Sequence, residues 1–302
     1  MGRGIGQVFA TAGFSVTLTD LNQKVLDSAI QQISSSLEVM EKSDLLSDSK
    51  EAVLSRVTTT PDLSEGVSDA SFVVEAVFEN LEEKKNVFRR VEKAASDSTI
   101  IASNTTAIPI ATLAEVTSHP ERVVGAHFWN PPHLVSAVEV TKGKSTSPAT
   151  IEKTVAILKK AGKKPAVVNR DIPGQIGIRI LYAMIREATW MVENEIASAE
   201  DIDNIVKEAI GGRLEILGPL ELADLSGIDL VEHVSNILYK SLDSSTGAQA
   251  LVKQMVKAGE LGVKTGRGFY NWKDGRSPQE TIRARDAHLI KILKNENNNS
   301  DS

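Results

Sequence analysis

Short apolar runs alternate with charged, helix-patterned stretches from Ser15 to Val168, and that alternation constrains the fold more than any other feature of the chain. Ser15 to Asp20 alternates polar and apolar side chains, as a short half-buried strand does, and Arg56 to Thr60 is a second candidate. Ser71 to Val77 (SFVVEAV) is continuous, β-branched and carries one acid, the pattern of a buried parallel strand. A charged helix follows in NLEEKKNVFRRVEKAA, with Leu81, Val87 and Val91 expected inward. Thr99 to Ala102, Val123 to His127 and Pro165 to Val168 complete the series. Strands alternating with helices predict an α/β domain, a doubly wound parallel sheet with helices on both faces. From Pro173 to Lys257 the strand period disappears, and Ile176, Ile180, Met184 and Ala188 share one helical stripe. The expected division is therefore residues 1–170, α/β; 171–275, all helical; and 276–302, a tail whose polar end, KNENNNSDS, is expected to be partly disordered.

A chain of 302 residues is long enough for two domains and a large core. Its net charge of -6 argues against general affinity for nucleic acid or an anionic membrane. It contains no cysteine, which excludes disulfides, thiolate catalysis and cysteine-ligated zinc. With neither a bilayer-length apolar run nor a signal-peptide pattern, the expected location is the cytoplasm.

The opening, MGRGIGQVFATAGFSVTLTD, has the order of a nucleotide-binding unit: glycines, helix, strand, terminal acid. Ile5, Val8, Phe9 and Ala12 recur at helical spacing, and Gly13 is a suitable stop. Asp20 ends the strand, where an acid takes both ribose hydroxyls and favours NAD over NADP. Taken alone, a helix start made of small residues explains Gly2 and Gly4 equally well.

None of the five histidines has the spacing of a zinc site, and no metal is assigned. His127 differs from the others by position: it ends a buried strand, where α/β sheets place their binding crevice, and begins the rigid turn HFWNPP. Glu139, flanked by valines in AVEV, needs a partner if buried, and a histidine is a suitable one. The run Ser103, Asn104, Thr105, Thr106 ends another strand. It reads either as a helix-capping turn or as polar groups facing the same crevice. Glu75 and Glu79 lie at or beyond a strand end, and Glu79 could accept from a cofactor or from Lys84. Glu82, Glu83 and Lys85 read as a solvated helix face.

In this order and at these spacings, GRGIGQVFATAGFSVTLTD, VVEAVFENLEEK, IASNTTAIPI, GAHFWNPP with AVEV, DIPG, GPLELADLSGID and GVKTGRGFYNW resemble the 3-hydroxyacyl-CoA dehydrogenase family over almost the whole chain. The resemblance implies a Rossmann-type NAD domain followed by a helical domain that forms a homodimer contact. It implies oxidation of the 3-hydroxyl of an acyl-CoA in fatty acid metabolism (β-oxidation), with NAD as cofactor. His127 would be the general base, Glu139 its orienting partner, and Thr106 would stand where the family usually has a substrate-contacting serine. Asn130 matches the asparagine of the H-F-x-N-P turn and, with Ser103, is assigned to the substrate. Gly2, Asp20, Glu79, Lys84 and Asn104 are assigned to the cofactor.

Two departures from the family pattern stand out. Met1 aligns just before the last glycine of G-x-G-x-x-G, so the first strand and the phosphate turn are expected to be missing, most simply through a start codon set too far downstream. Ile178 in DIPGQIGIR occupies the family's asparagine position and can neither donate nor accept a side-chain hydrogen bond. The second proline and Trp129 of HFWNPP keep open a dehydrogenase of a free hydroxy acid, gulonate- or carnitine-like, and the two departures keep open an inactive NAD-binding or structural relative.

Overall fold

The computed structural model describes the backbone of residues 1–300 and the side chains of residues 1–296. Two compact units are present, Met1–Ile178 with Arg283–Ser302, and Arg179–Ile282. The first unit contains strands β1 (Val16–Thr19), β2 (Val57–Thr60), β3 (Phe72–Glu75), β4 (Ile100–Ser103), β5 (Val123–Phe128), β6 (Ala137–Thr141) and β7 (Lys164–Val168). Its helices are α1 (Gly2–Thr11), α2 (Gln23–Lys42), α3 (Lys50–Leu54), α4 (Leu63–Val67), α5 (Leu81–Ala94), α6 (Ile110–Ala114) and α7 (Pro148–Lys160). Helix α8 (Gly177–Glu193) spans the division between the units.

The Rossmann-type layering is present, with two differences from a continuous parallel sheet. First, the strands form two sheets, β1-β2 and β3-β4-β5-β6-β7, and β1 and β3 do not pair among the described residues. Phe72, Val73 and Val74 of β3 are consequently half-buried, unlike the fully buried β4 beside them, whereas SFVVEAV alone reads as a strand covered on both sides. Second, β5 and β6 are antiparallel in an otherwise parallel set. The connection from Trp129 to Ser136 is too short to carry a parallel crossover, which takes a dozen residues or more.

Alternation along β4 divides the core. Ile100 and Ala102 pack with Ile5, Val8 and Phe9 of α1 and Leu158 of α7. Ile101 faces the other way, toward Phe88 and Val91 of α5 and Leu113 of α6. Burying a side chain such as Phe88 contributes roughly 1.5–3 kcal/mol. Helix α1 approaches β1 so closely that a Cβ on Gly6 would lie 2.6 Å from Leu18 Cδ2. A Cβ there would displace the Leu18 side chain and crowd Val16 Cγ1 (3.3 Å).

The second unit continues as α9 (Ala199–Ile205), α10 (Gly212–Leu214), α11 (Pro219–Ser226), α12 (Ile228–Leu238) and α13 (Ala250–Lys257), with a π-helical stretch over Val206–Gly211. It holds itself by polar ties: Tyr270 Oη donates to Asp203 Oδ2 (2.7 Å) and lies 3.1 Å from the Ala199 carbonyl, and Arg276 covers the Tyr270 ring. Ile180 and Met184 of the expected inward stripe are exposed, as is Ile176 just before α8, so within the chain that stripe is not core.

Pro278–Ser300 forms one helix, α14, which takes in most of the segment read as a tail; Asp301 and Ser302 lie outside the described residues. Ser277 Oγ accepts from Glu280 N at its start (3.2 Å), where Pro278 suits the first turn. Lys164–Glu296 (2.7 Å) and Asp44–Lys294 (3.8 Å) tie its later turns to the first unit.

Candidate active site

Twelve residues of sequence separate His127 from Glu139, and the antiparallel turn between β5 and β6 cancels that separation. The two residues are register partners, so their side chains project from the same face of the sheet. His127 Nδ1 lies 2.9 Å from Glu139 Oε2, and both side chains are more than nine-tenths buried. An ionised carboxylate only accepts, so the proton is on Nδ1 and the lone pair is on Nε2. The other carboxylate oxygen, Oε1, accepts from the backbone N–H groups of Ile176 (2.7 Å) and Gly177 (3.0 Å). Burial pushes the Glu139 carboxyl up, but the bonds from His127, Gly177 and Ile176 outweigh it and hold the group below its ordinary value.

Nε2 faces Thr106. The Thr106 hydroxyl lies 3.5 Å away, at the outer limit of a hydrogen bond, so the basic nitrogen has no tight partner there and can receive a substrate oxygen. Trp129 stands edge-on to the His127 ring, 5.5 Å between centroids. It leans on Gly177, where a Cβ would approach Trp129 Cζ2 to 2.3 Å. Any side chain at Gly177 would therefore displace the indole.

The remaining sequence-predicted residues divide between open and sequestered. Asn130 is exposed, precedes a cis peptide bond to Pro131, and lines a small cavity with Arg3, Gln7 and His133. Asn104 Oδ1 accepts from Phe128 N (2.8 Å), which fixes the strand end beside His127. Ser103 is fully buried and donates to Glu75 Oε2 (2.6 Å), so it does not face a substrate as expected. Lys84 is likewise 1 % exposed: its ammonium group donates to both oxygens of Glu75 (2.8 and 3.0 Å) and lies 3.3 Å from Glu79 Oε2. Helix periodicity places Lys84 on the inner face of α5, and a charge there requires partners. This is a structural pair in place of the expected cofactor contact.

Glu79 remains half-exposed. Burial raises its carboxyl, but hydrogen bonds from Thr105, Ala107 and Thr106 and the charge of Lys84 bring it below its ordinary value. Gln175 escaped the sequence reading, because nothing in DIPG marks a buried amide. It is 5 % exposed, at φ 49°, and donates to the Thr105 carbonyl (3.2 Å).

The opening of the chain fits a dinucleotide. Helix α1 begins at Gly2 with no acid in its first turn and no side-chain cap. Asp20, just past β1, is exposed and accepts from Asn22 N (2.9 Å). An acid at the end of the strand that follows this helix suits a ribose.

Residues 1–172 match the 3-hydroxyacyl-CoA dehydrogenase NAD binding domain, and residues 174–272 match the C-terminal domain of the same family. The chain is 33 % identical over 281 residues to a 5-formyl-3-hydroxy-2-methylpyridine 4-carboxylate 5-dehydrogenase of Mesorhizobium japonicum, covering 93 % of this chain and 89 % of the relative. It is 36 % identical to a probable 3-hydroxybutyryl-CoA dehydrogenase of Bacillus subtilis, covering 92 % and 96 %. A crystal structure of a 5-formyl-3-hydroxy-2-methylpyridine 4-carboxylic acid 5-dehydrogenase, described as an NAD+-dependent dismutase, superposes with a TM-score of 0.88 at 31 % identity, covering 98 % and 94 %.

Proposed function

The chain belongs to the 3-hydroxyacyl-CoA dehydrogenase family, whose members are NAD-dependent oxidoreductases, and from that premise we propose that it interconverts a 3-hydroxyacyl-CoA and the 3-ketoacyl-CoA. The observation that carries the reading is the buried His127–Glu139 pair, with Nε2 of the histidine open toward Thr106. His127 Nε2 removes the proton of the substrate 3-hydroxyl as its carbon is oxidised. Glu139 fixes the tautomer and stabilises the imidazolium that forms. In the reverse direction His127 returns the proton to the ketone oxygen. Thr106 and Asn130 bind the substrate oxygen and its flanking groups. NAD supplies the hydride acceptor; Gly2, Asp20 and the open side of Glu79 hold it.

Fatty acid metabolism in the cytoplasm is the setting this reading implies, with a homodimer as the working form. The apolar surface of α11 and α12 supports the dimer: Leu220, Leu225, Ile237 and Tyr239 are all largely exposed.

The test is NADH oxidation by the purified chain with acetoacetyl-CoA. Turnover lowered by roughly 10²–10⁴-fold in His127→Ala, with NADH binding retained, is the expected result. Turnover that stays near the parent rate removes His127 from the mechanism.

A second reading, oxidation of a free carboxylic acid substrate, draws on the pyridine carboxylate relative and its TM-score of 0.88. A folded chain that ignores acetoacetyl-CoA but reduces NAD with a free hydroxy acid would select it.

A further inference from the structure

Glu79 lies far from His127 in sequence, yet it organises the turn that faces the base. Its Oε1 accepts from four groups in one turn: the Thr105 hydroxyl (2.5 Å) and the backbone N–H groups of Thr106 (3.0 Å), Ala107 (2.9 Å) and Ile108 (3.4 Å). Its Oε2 lies 3.3 Å from Lys84. Lys84 cannot swing away, because it is buried and held by both oxygens of Glu75. Glu75 in turn accepts from Ser103 at the end of β4 (2.6 Å) and from Val77 N (2.7 Å) at the start of the segment carrying Glu79. The chain of contacts therefore runs from the ends of β3 and β4, through a sequestered ion pair, to the backbone of Thr106.

We infer that Glu79 is a positioning residue, which gathers the Thr105–Ile108 turn so that the Thr106 hydroxyl faces His127 Nε2, with the Glu75–Lys84 pair fixing Glu79 in turn. The inference rests on His127 as the base. The physical reason is geometric. Three successive N–H groups converge on one carboxylate oxygen only if the turn curls around it, and that curl sets the direction of the Thr106 side chain. Without the anion the Thr106 and Ala107 N–H groups lose their acceptor and turn to water, which loosens the curl, while Ile108 N keeps its nearer partner, Thr105 Oγ1 (3.0 Å).

The experiment is a double-mutant cycle on Glu79→Ala and Thr106→Ala, reading kcat, the NADH dissociation constant and the ring nitrogen shifts of His127 by NMR. Glu79→Ala is expected to lower kcat at saturating NADH about tenfold; because the open side of Glu79 also faces the cofactor, NADH affinity is expected to fall as well. In the Thr106→Ala background the same change should add almost nothing. Multiplying effects on kcat, or weakened NADH binding at unchanged kcat, would overturn the inference. The NMR arm needs no turnover, so it separates this inference from the choice of substrate: Glu79→Ala and Thr106→Ala should move the His127 shifts alike, and an unmoved ring in Glu79→Ala overturns it. If Glu79→Ala does not fold, the isosteric Glu79→Gln serves the same cycle, and Glu79→Asp should recover part of the lost rate.

Discussion

The two compact units bury their side chains very differently. In the first, all of β4 and β5 and the facing sides of α1, α5 and α7 are sealed. In the second, among the described residues, only Thr189, Ile202 and Gln249 are buried, and two of these are polar. Yet α8 and α12 are as clearly amphipathic as the helices of the first unit. An apolar stripe says that a face is to be covered. It does not say whether the same chain or another covers it. The first unit answers the question internally, and it is where the rigid dyad sits. The second leaves its faces open, which is why we propose a second copy as their cover.

The largest expected effect belongs to the sealed unit. His127→Ala should lower kcat by roughly 10²–10⁴-fold, measured by steady-state NADH oxidation. Next comes a matched pair of truncations that tests the contrast directly. Phe88→Ala, in the first core, should destabilise by about 3–5 kcal/mol in urea. Ile237→Ala, 62 % exposed on α12, should cost less than about 0.5 kcal/mol at concentrations where the chain is monomeric. The same change should raise the dimer dissociation constant by sedimentation. Equal costs in urea would mean that α12 is core within the chain, and the contrast would collapse.

A smaller effect concerns pH. Burial, followed by the charges of Lys163, Arg3 and Arg285, lowers His133 from 6.5 to about 4, although Asp286 opposes the shift. Between those values the unfolded chain binds a proton that the folded chain refuses. His133 therefore destabilises the fold progressively as pH falls from 6.5 toward 4. His133→Gln should flatten the acid limb of the stability curve in that window; an unchanged slope assigns it to other groups. The smallest expected change is a gain: Ile178→Asn should raise kcat several-fold, because the position follows the N–H groups that hold Glu139 and an amide there could reach a substrate oxygen. A fall in kcat would mean that the isoleucine is itself part of the substrate wall.

Much of the site was readable as residues and little of it as geometry. His127 stood out as a histidine at the end of a buried strand, and Glu139 as an acid between valines that required a partner. Their pairing follows from the antiparallel register of β5 and β6, which an α/β pattern of strands does not announce. Lys84 and Ser103 read as polar groups near a crevice, and both are buried against Glu75. A one-dimensional pattern assigns a charged residue to solvent unless its partner is also seen, and Glu75 lies on a different element. Glu79 read as a ligand to something, but the four donors of the Thr105–Ile108 turn come from more than twenty residues away.

By itself the sequence determined the alternation of strands and helices, the change from α/β to helical near DIPG, the family, and which residues to test as the base and as the dinucleotide contacts. These are local: apolar periodicity and turn chemistry act over a few residues and leave a mark on every stretch they govern. The tertiary structure decided which strand edges meet, that the tail continues as a helix against the first unit, which charges lie inside, and which turn Glu79 holds beside His127. These depend on the free energy of bringing distant groups together in a low-dielectric interior, a quantity no single stretch of chain contains.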